Sequence, residues 1–238
     1  MTQAFDAEAL LESLNALSEP KYAKFAATSI PGSACRMLGV RMPALRSISR
    51  KIIKDDWRGF LEVSRFHEIY EMRLLHAMVL GGARCPIEQK IELTEAFLPA
   101  IDNWAVCDCL CSSFKPRKDD LDALFGYVCA CAGRSDVFPK RFGLVMLMFY
   151  FHDAPWAAQT LDIYRGFSHP DYYARMGAAW GLATLFLTNR EGVLEILRSN
   201  AWDDFTHNKA IQKITESYRV SPEDKALART LRRGRKNR

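Results

Sequence analysis

IDNWAVCDCLCSSF, running from Ile101 to Phe114, is almost wholly apolar, and the helix it predicts carries one acid in its interior, Asp108. Trp104 stands four residues earlier. On a helix that spacing puts the indole and the carboxylate on one face, one turn apart. A carboxylate in apolar surroundings is costly unless it is paired or opens into a cleft. An aromatic wall beside it suits a cationic or electron-poor ligand. A helix cap or a buried ion pair is the plainer alternative for the acid. The C-x-C-x-C run of Cys107, Cys109 and Cys111 looks like a metal clip. On a helix, however, Cys109 points away from the other two. No C-x-x-C or nearby histidine completes a tetrahedral site, so these cysteines read as small apolar fillers.

Outward from this segment, one spacing repeats. Arg73, Cys107, Arg141, Arg175 and Lys209 follow one another at intervals of 34 residues. The residues after them are apolar, as in Leu74-Leu75, Leu144-Val145, Gly177-Ala178 and Ala210-Ile211. Such a period marks a helical-repeat solenoid, in which stacked helix pairs share one core. The Trp, Leu-Gly and Tyr pattern of tetratricopeptide repeats is missing, and divergent HEAT-like pairs fit better. Equivalent residues of stacked helices line one surface. Arg73, Arg141, Arg175 and Lys209 are therefore expected to form a positive stripe, with Asp108 beside the one position where it lapses. Chance alignment of solvated basic residues is the alternative. A basic concave face suits a phosphate backbone, which lysine and arginine contact without reading sequence. Trp104 and Trp180 fall in second helices 76 residues apart, roughly two repeats. Each alone reads as core packing. With Asp108 and Arg141 they are candidates to line one cleft.

The rest of the chain reads as helix throughout. Predicted helices span Phe5 to Leu17, Pro20 to Ala27, Pro43 to Lys54, Trp57 to Phe66, Ile69 to Leu80 (ended by Gly81 and Gly82), and Pro86 to Leu98. Beyond the central segment come Leu121 to Ala132, Lys140 to Phe151 opened by Pro139, and a helix opened by Pro155 and reaching Tyr164. Tyr172 to Leu187, Glu191 to Leu197, Asn208 to Tyr218 and a last helix opened by Pro222 follow. The loop Ser29 to Ser33 breaks the pattern. No period-two alternation occurs, so the fold class is all-α: a C-shaped HEAT-like superhelix with a basic concave face.

The totals set the broad class. The chain has 238 residues, 49% of them hydrophobic and 26% charged, and a net charge of +5. That balance permits nucleic acid as a partner without requiring it. The apolar run Val145 to Phe151 is too short to span a membrane. The N-terminal residues do not read as a secretory signal, so a cytoplasmic protein is expected. Seven cysteines argue against a closed disulfide framework. The five histidines are scattered, without the i, i+4 spacing of a helical metal site. Residues 1–231 are expected as one HEAT-like domain, and 232–238 as a disordered basic tail. Asp102 and Asn103 read as caps of the central helix. Arg41 and Arg46 read as DNA contacts or as solvated charges.

Five motifs in order carry a resemblance. They are Leu38-Gly-Val-Arg-Met-Pro-Ala-Leu-Arg46, Ile101-Asp-Asn-Trp-Ala-Val-Cys-Asp108, Lys140-Arg-Phe-Gly-Leu-Val145, Tyr172-Tyr-Ala-Arg-Met-Gly-Ala-Ala-Trp180, and the segment from Asn208 to Val220. From about Tyr22 to Val220 the chain resembles the AlkD-like DNA alkylation-repair family, HEAT-like-repeat DNA glycosylases. The resemblance implies hydrolysis of the N-glycosidic bond of cationic N3- or N7-alkylated purines in duplex DNA. It implies Asp108 as the catalytic carboxylate, Trp104 and Trp180 as the tryptophans of the cleft, and Arg141 as the arginine holding the backbone beside the lesion. No metal or organic cofactor is implied. The chain departs from better-studied relatives at Met176, where they carry a lysine. The expected partner is alkylated double-stranded DNA, and the expected state is a monomer. A non-catalytic HEAT-like module that binds branched or damaged DNA, or RNA, is the rival reading, and a protein scaffold is a third.

Overall fold

Helical periodicity in the sequence becomes fourteen α-helices among residues 5–234, the residues described by the computed structural model. In order they are α1 (Ala7–Ala16), α2 (Pro20–Ala27), α3 (Met42–Lys54), α4 (Trp57–Ser64), α5 (Tyr70–Gly82), α6 (Ile87–Phe97), α7 (Trp104–Ser113) and α8 (Leu121–Gly133). Then come α9 (Val137–Tyr150), α10 (Ala157–Arg165), α11 (Tyr172–Leu185), α12 (Arg190–Arg198), α13 (Asp204–Glu216) and α14 (Pro222–Thr230). Among the described residues the only extended pairing is an isolated bridge between Arg36 and Ile69. The chain is all-α, as the periodicity predicts, and its helix pairs repeat as in a solenoid.

Helix starts follow local chemistry. Side chains of Asp6, Asp56, Asn103, Asp171, Asp203 and Ser221 each accept a backbone N–H from the first turn of α1, α4, α7, α11, α13 and α14. Such a cap satisfies a donor that the helix leaves orphaned and contributes about 1 kcal/mol. Pro20, Pro43 and Pro222 sit in first turns, where their missing N–H costs nothing.

Helices up to Leu124 form one compact unit and those from Phe125 a second, the division falling inside α8. In the first, α5 packs against α3, α4 and α7. In the second, α11 packs on both α9 and α13, α10 on α12, and α14 on α13. The helices carrying the 34-residue repeat position are thus neighbours in space within each unit. Most of α5 and α9 is buried, which is why those two segments are apolar nearly all round.

Two expected boundaries move. Gly81 and Gly82 do not stop α5 but complete it. A Cβ on Gly81 would lie 2.7 Å from the Ser113 side chain, so this glycine lets α5 and the end of α7 approach. The helix expected to begin at Asn208 begins at Asp204, because Asp203 caps it with bonds to Phe205 N and Thr206 N. At the C-terminus, Arg233 donates to Trp202 O at 2.6 Å and exchanges hydrogen bonds with the Asn208 side chain. The remainder of the basic tail, residues 235–238, lies outside the described residues.

Candidate active site

The approach to α7 is built by side chains of residues 102–104. Asn103 is the cap, accepting Val106 N at 3.0 Å. Asp102, expected to cap as well, instead turns to the Ser29–Ser33 loop. Its carboxylate accepts Ser33 Oγ at 3.1 Å to each oxygen and Ala34 N at 3.0 Å. Asn103 Nδ2 donates to it at 2.7 Å, and Arg73 Nη1 lies 3.5 Å away. Trp104 Nε1 donates to Ser29 O at 2.7 Å, at the other end of the same loop. The indole is half-buried and its ring plane is fixed by a partner 75 residues away in the chain.

Asp108 is half-exposed one turn beyond Trp104 on α7, while Cys107, Cys109 and Cys111 are buried. Burial pushes the Cys109 thiol up to about 11; a Ser113 hydrogen bond and the Arg46 charge oppose that rise, and the Asp108 charge adds to it. Arg46, exposed on α3, and Asp108 are therefore both within electrostatic reach of one thiol. The cysteines act as buried small side chains; none is in a disulfide. Among the described residues no group of three or more His, Cys, Asp or Glu could hold a metal ion.

A second buried carboxylate explains the Leu38-Gly-Val motif. Glu71 is 1% exposed and accepts the backbone N–H groups of Leu38, Gly39 and Val40. Gly39 has a φ of +89°, and a Cβ there would collide with Glu19 O. This turn sets the start of α3, and with it Arg41 and Arg46. Arg41 is held in a two-pronged pair with Glu19, at 3.0 and 2.8 Å, and its guanidinium lies over the Tyr22 ring. The pair holds the Glu19 carboxyl below its usual range, through the hydrogen bond first and the charge second.

The repeated basic position has a structural task in both units. Arg73 Nε donates to His67 O at 2.9 Å and Nη1 to Ala100 O at 2.7 Å, next to its contact with Asp102. Arg141 is 5% exposed, donates from Nη1 to Tyr173 O at 2.8 Å, and passes against Gly177. Arg175 Nη1 lies 3.3 Å from Asp203 Oδ1, and the guanidinium sits over the Phe205 ring at 4.6 Å. Each arginine reaches the entry of the next helix in its row. Lys209 differs: it is half-exposed, bonded to Gln212 Oε1 at 3.0 Å and 5.9 Å from the Phe205 ring centre. At its three arginines the 34-residue period therefore records ties between repeats. Two of these ties leave a trace in the sequence, Asp102 29 residues after Arg73 and Asp203 28 residues after Arg175, whereas Arg141 ties to a backbone oxygen. Trp180, on α11, is half-buried and set edge-on to Phe149 with ring centres 5.7 Å apart.

Fold and side chains define a class: an all-helical repeat protein with an aromatic–carboxylate pair on one helix and arginines at a fixed repeat position. The family model described as DNA alkylation repair enzyme matches residues 10–219, and the chain belongs to that family. A search of the curated proteins returned no match. Membership makes DNA the substrate and repair of alkylation damage the context.

Proposed function

We propose that the protein is a DNA glycosylase that hydrolyses the N-glycosidic bond of N3- or N7-alkylated purines in duplex DNA. The observation that carries this reading is Asp108, half-exposed on α7 one turn after an indole whose orientation is fixed, in a chain of the alkylation-repair family. A module that only binds DNA has no use for a carboxylate facing a polyanion, which it repels.

Alkylation at N3 or N7 places a formal positive charge on the purine. Cleavage of the bond to C1′ returns that charge to neutrality as the base leaves with the bonding electrons, so no general acid is needed. Positive charge develops on the deoxyribose. Asp108 stabilises it and orients a water, whose oxygen bonds to C1′ and whose proton passes to solvent. Trp104 packs on the sugar and excludes bulk water, which strengthens the electrostatic interaction.

Arg46, Arg141 and Lys209 take phosphates in this scheme. The bond from Arg141 Nη1 to Tyr173 O holds that side chain at the start of α11. Arg41 and Arg73 are committed to Glu19 and to the approach of α7. The test is a panel of labelled duplexes, each with one lesion, assayed for abasic sites. Abasic sites at 7-methylguanine or 3-methyladenine support the reading, and none at any cationic purine removes it.

A further inference from the structure

The Ser29–Ala34 loop is held at both ends by residues two apart in the chain. Trp104 takes Ser29 O at 2.7 Å; Asp102 takes Ser33 Oγ and Ala34 N at 3.1 and 3.0 Å. Between these ties Ile30 is 5% exposed, which anchors the loop from below, and Pro31 and Gly32 form an exposed tip. Ser29 is tied to α2 through its N–H and Oγ, both donating to Ala26 O, and the contact at Asp102 holds the far end of the loop. Its carboxylate is positioned in turn by Asn103 Nδ2 at 2.7 Å and by Arg73, which also holds Ala100 O.

We infer that Asp102 is a positioning residue for the glycosylase site: through the Ser29–Ala34 loop it sets the ring plane of Trp104 beside Asp108. The inference rests on the reading of Asp108 and Trp104 as the reaction centre. Arg73 belongs to the same device and completes the charge balance of Asp102. An aspartate here suits the task better than a neutral side chain. Ionised, it accepts from Ser33, Ala34, Asn103 and Arg73 at once, whereas an amide turns donors toward some of them. Misplacing a group that packs on the reacting sugar by about 1 Å is enough to cost on the order of a hundredfold in rate.

The experiment pairs a spectroscopic readout with kinetics on the full-length protein. Indole N–H resonances are recorded in ¹H–¹⁵N spectra, with Trp104→Phe identifying the Trp104 signal. Single-turnover release of 7-methylguanine and duplex affinity are measured alongside. Asp102→Asn is expected to shift or broaden the Trp104 signal, leave that of Trp180 in place, and lower the rate about ten- to a hundredfold with affinity within about twofold. Ser33→Ala, which removes one tie and keeps the charge, gives a smaller change in the same direction and serves if Asp102→Asn does not fold. A Trp104 signal unmoved in both variants overturns the inference, as does a moved signal with an unchanged rate. If the wild type releases no base, the glycosylase reading fails, and the indole signal alone decides whether Asp102 orients Trp104.

Discussion

Glu71 Oε1 accepts the N–H of Gly39 at 2.7 Å, a bond between a buried carboxylate and a residue in left-handed backbone. Leu38 N and Val40 N complete the set, at 3.0 and 3.2 Å. Glu71→Ala leaves three buried donors without their acceptor, and a loss of about 3 kcal/mol or more is expected. Gly39→Ala strains the backbone and drives a Cβ into Glu19 O, so it too destabilises, by at least about 1 kcal/mol. Urea unfolding midpoints of the two variants check both.

His76 is buried, stacked on Phe97 with ring centres 4.0 Å apart, and bonded to Ser64 Oγ at 2.8 Å. Burial first, then the Arg65 charge, holds its pKa down at about 3. The unfolded chain binds a proton at this residue below about pH 6.5, and the folded chain does not. Its contribution to stability is therefore complete above that pH and falls as pH drops from 6.5 toward 3. Between pH 7 and pH 5 the loss amounts to about 2 kcal/mol. His76→Phe keeps the stacking and removes the titration, so the difference in unfolding free energy between those two pH values should shrink by about that amount. His67 and His207 are also held below the usual range by burial and act in the same direction.

The basic residues separate by salt dependence. Arg46 is exposed, and Arg46→Ala is expected to weaken duplex binding and lower the slope of log affinity against log salt by about one. Arg141 is 5% exposed and bonded to Tyr173 O, so Arg141→Ala is expected to lower the unfolding midpoint along with duplex affinity. Arg73→Ala should leave the slope unchanged, because Arg73 is spent on His67 O, Ala100 O and Asp102, and should lower the unfolding midpoint instead. Fluorescence anisotropy across a salt series measures all three.

Much of this was legible in the chain. Proline and glycine positions with apolar periodicity located the helices, and the 34-residue interval identified which helices pack side by side. A linear pattern records charge without direction. Arg73 and Arg175 showed the same interval that a DNA-facing stripe would, yet their side chains turn to Asp102 and Asp203. Asp102 and Asn103 looked like two caps of equal standing. Only Asn103 bonds to α7, because Asp102 finds Ser33 and Ala34 in a loop 68 to 69 residues earlier, a partner that local spacing cannot reveal. Gly81 looked like a helix stop because its reason is steric and lies in Ser113, on another helix. Trp104 and Asp108, by contrast, share one turn of helix, and their common face was readable from four residues of sequence.

The central claim is chemical, and one comparison tests it most directly: single-turnover release of 7-methylguanine from methylated duplex by wild type and Asp108→Asn, with affinity for the same duplex measured in parallel. The account predicts release by the wild type, a loss of at least about a hundredfold in Asp108→Asn, and affinity retained or slightly improved once a negative charge leaves the DNA-facing side of α7. Equal release by both proteins, or release by neither above the buffer rate, would contradict it.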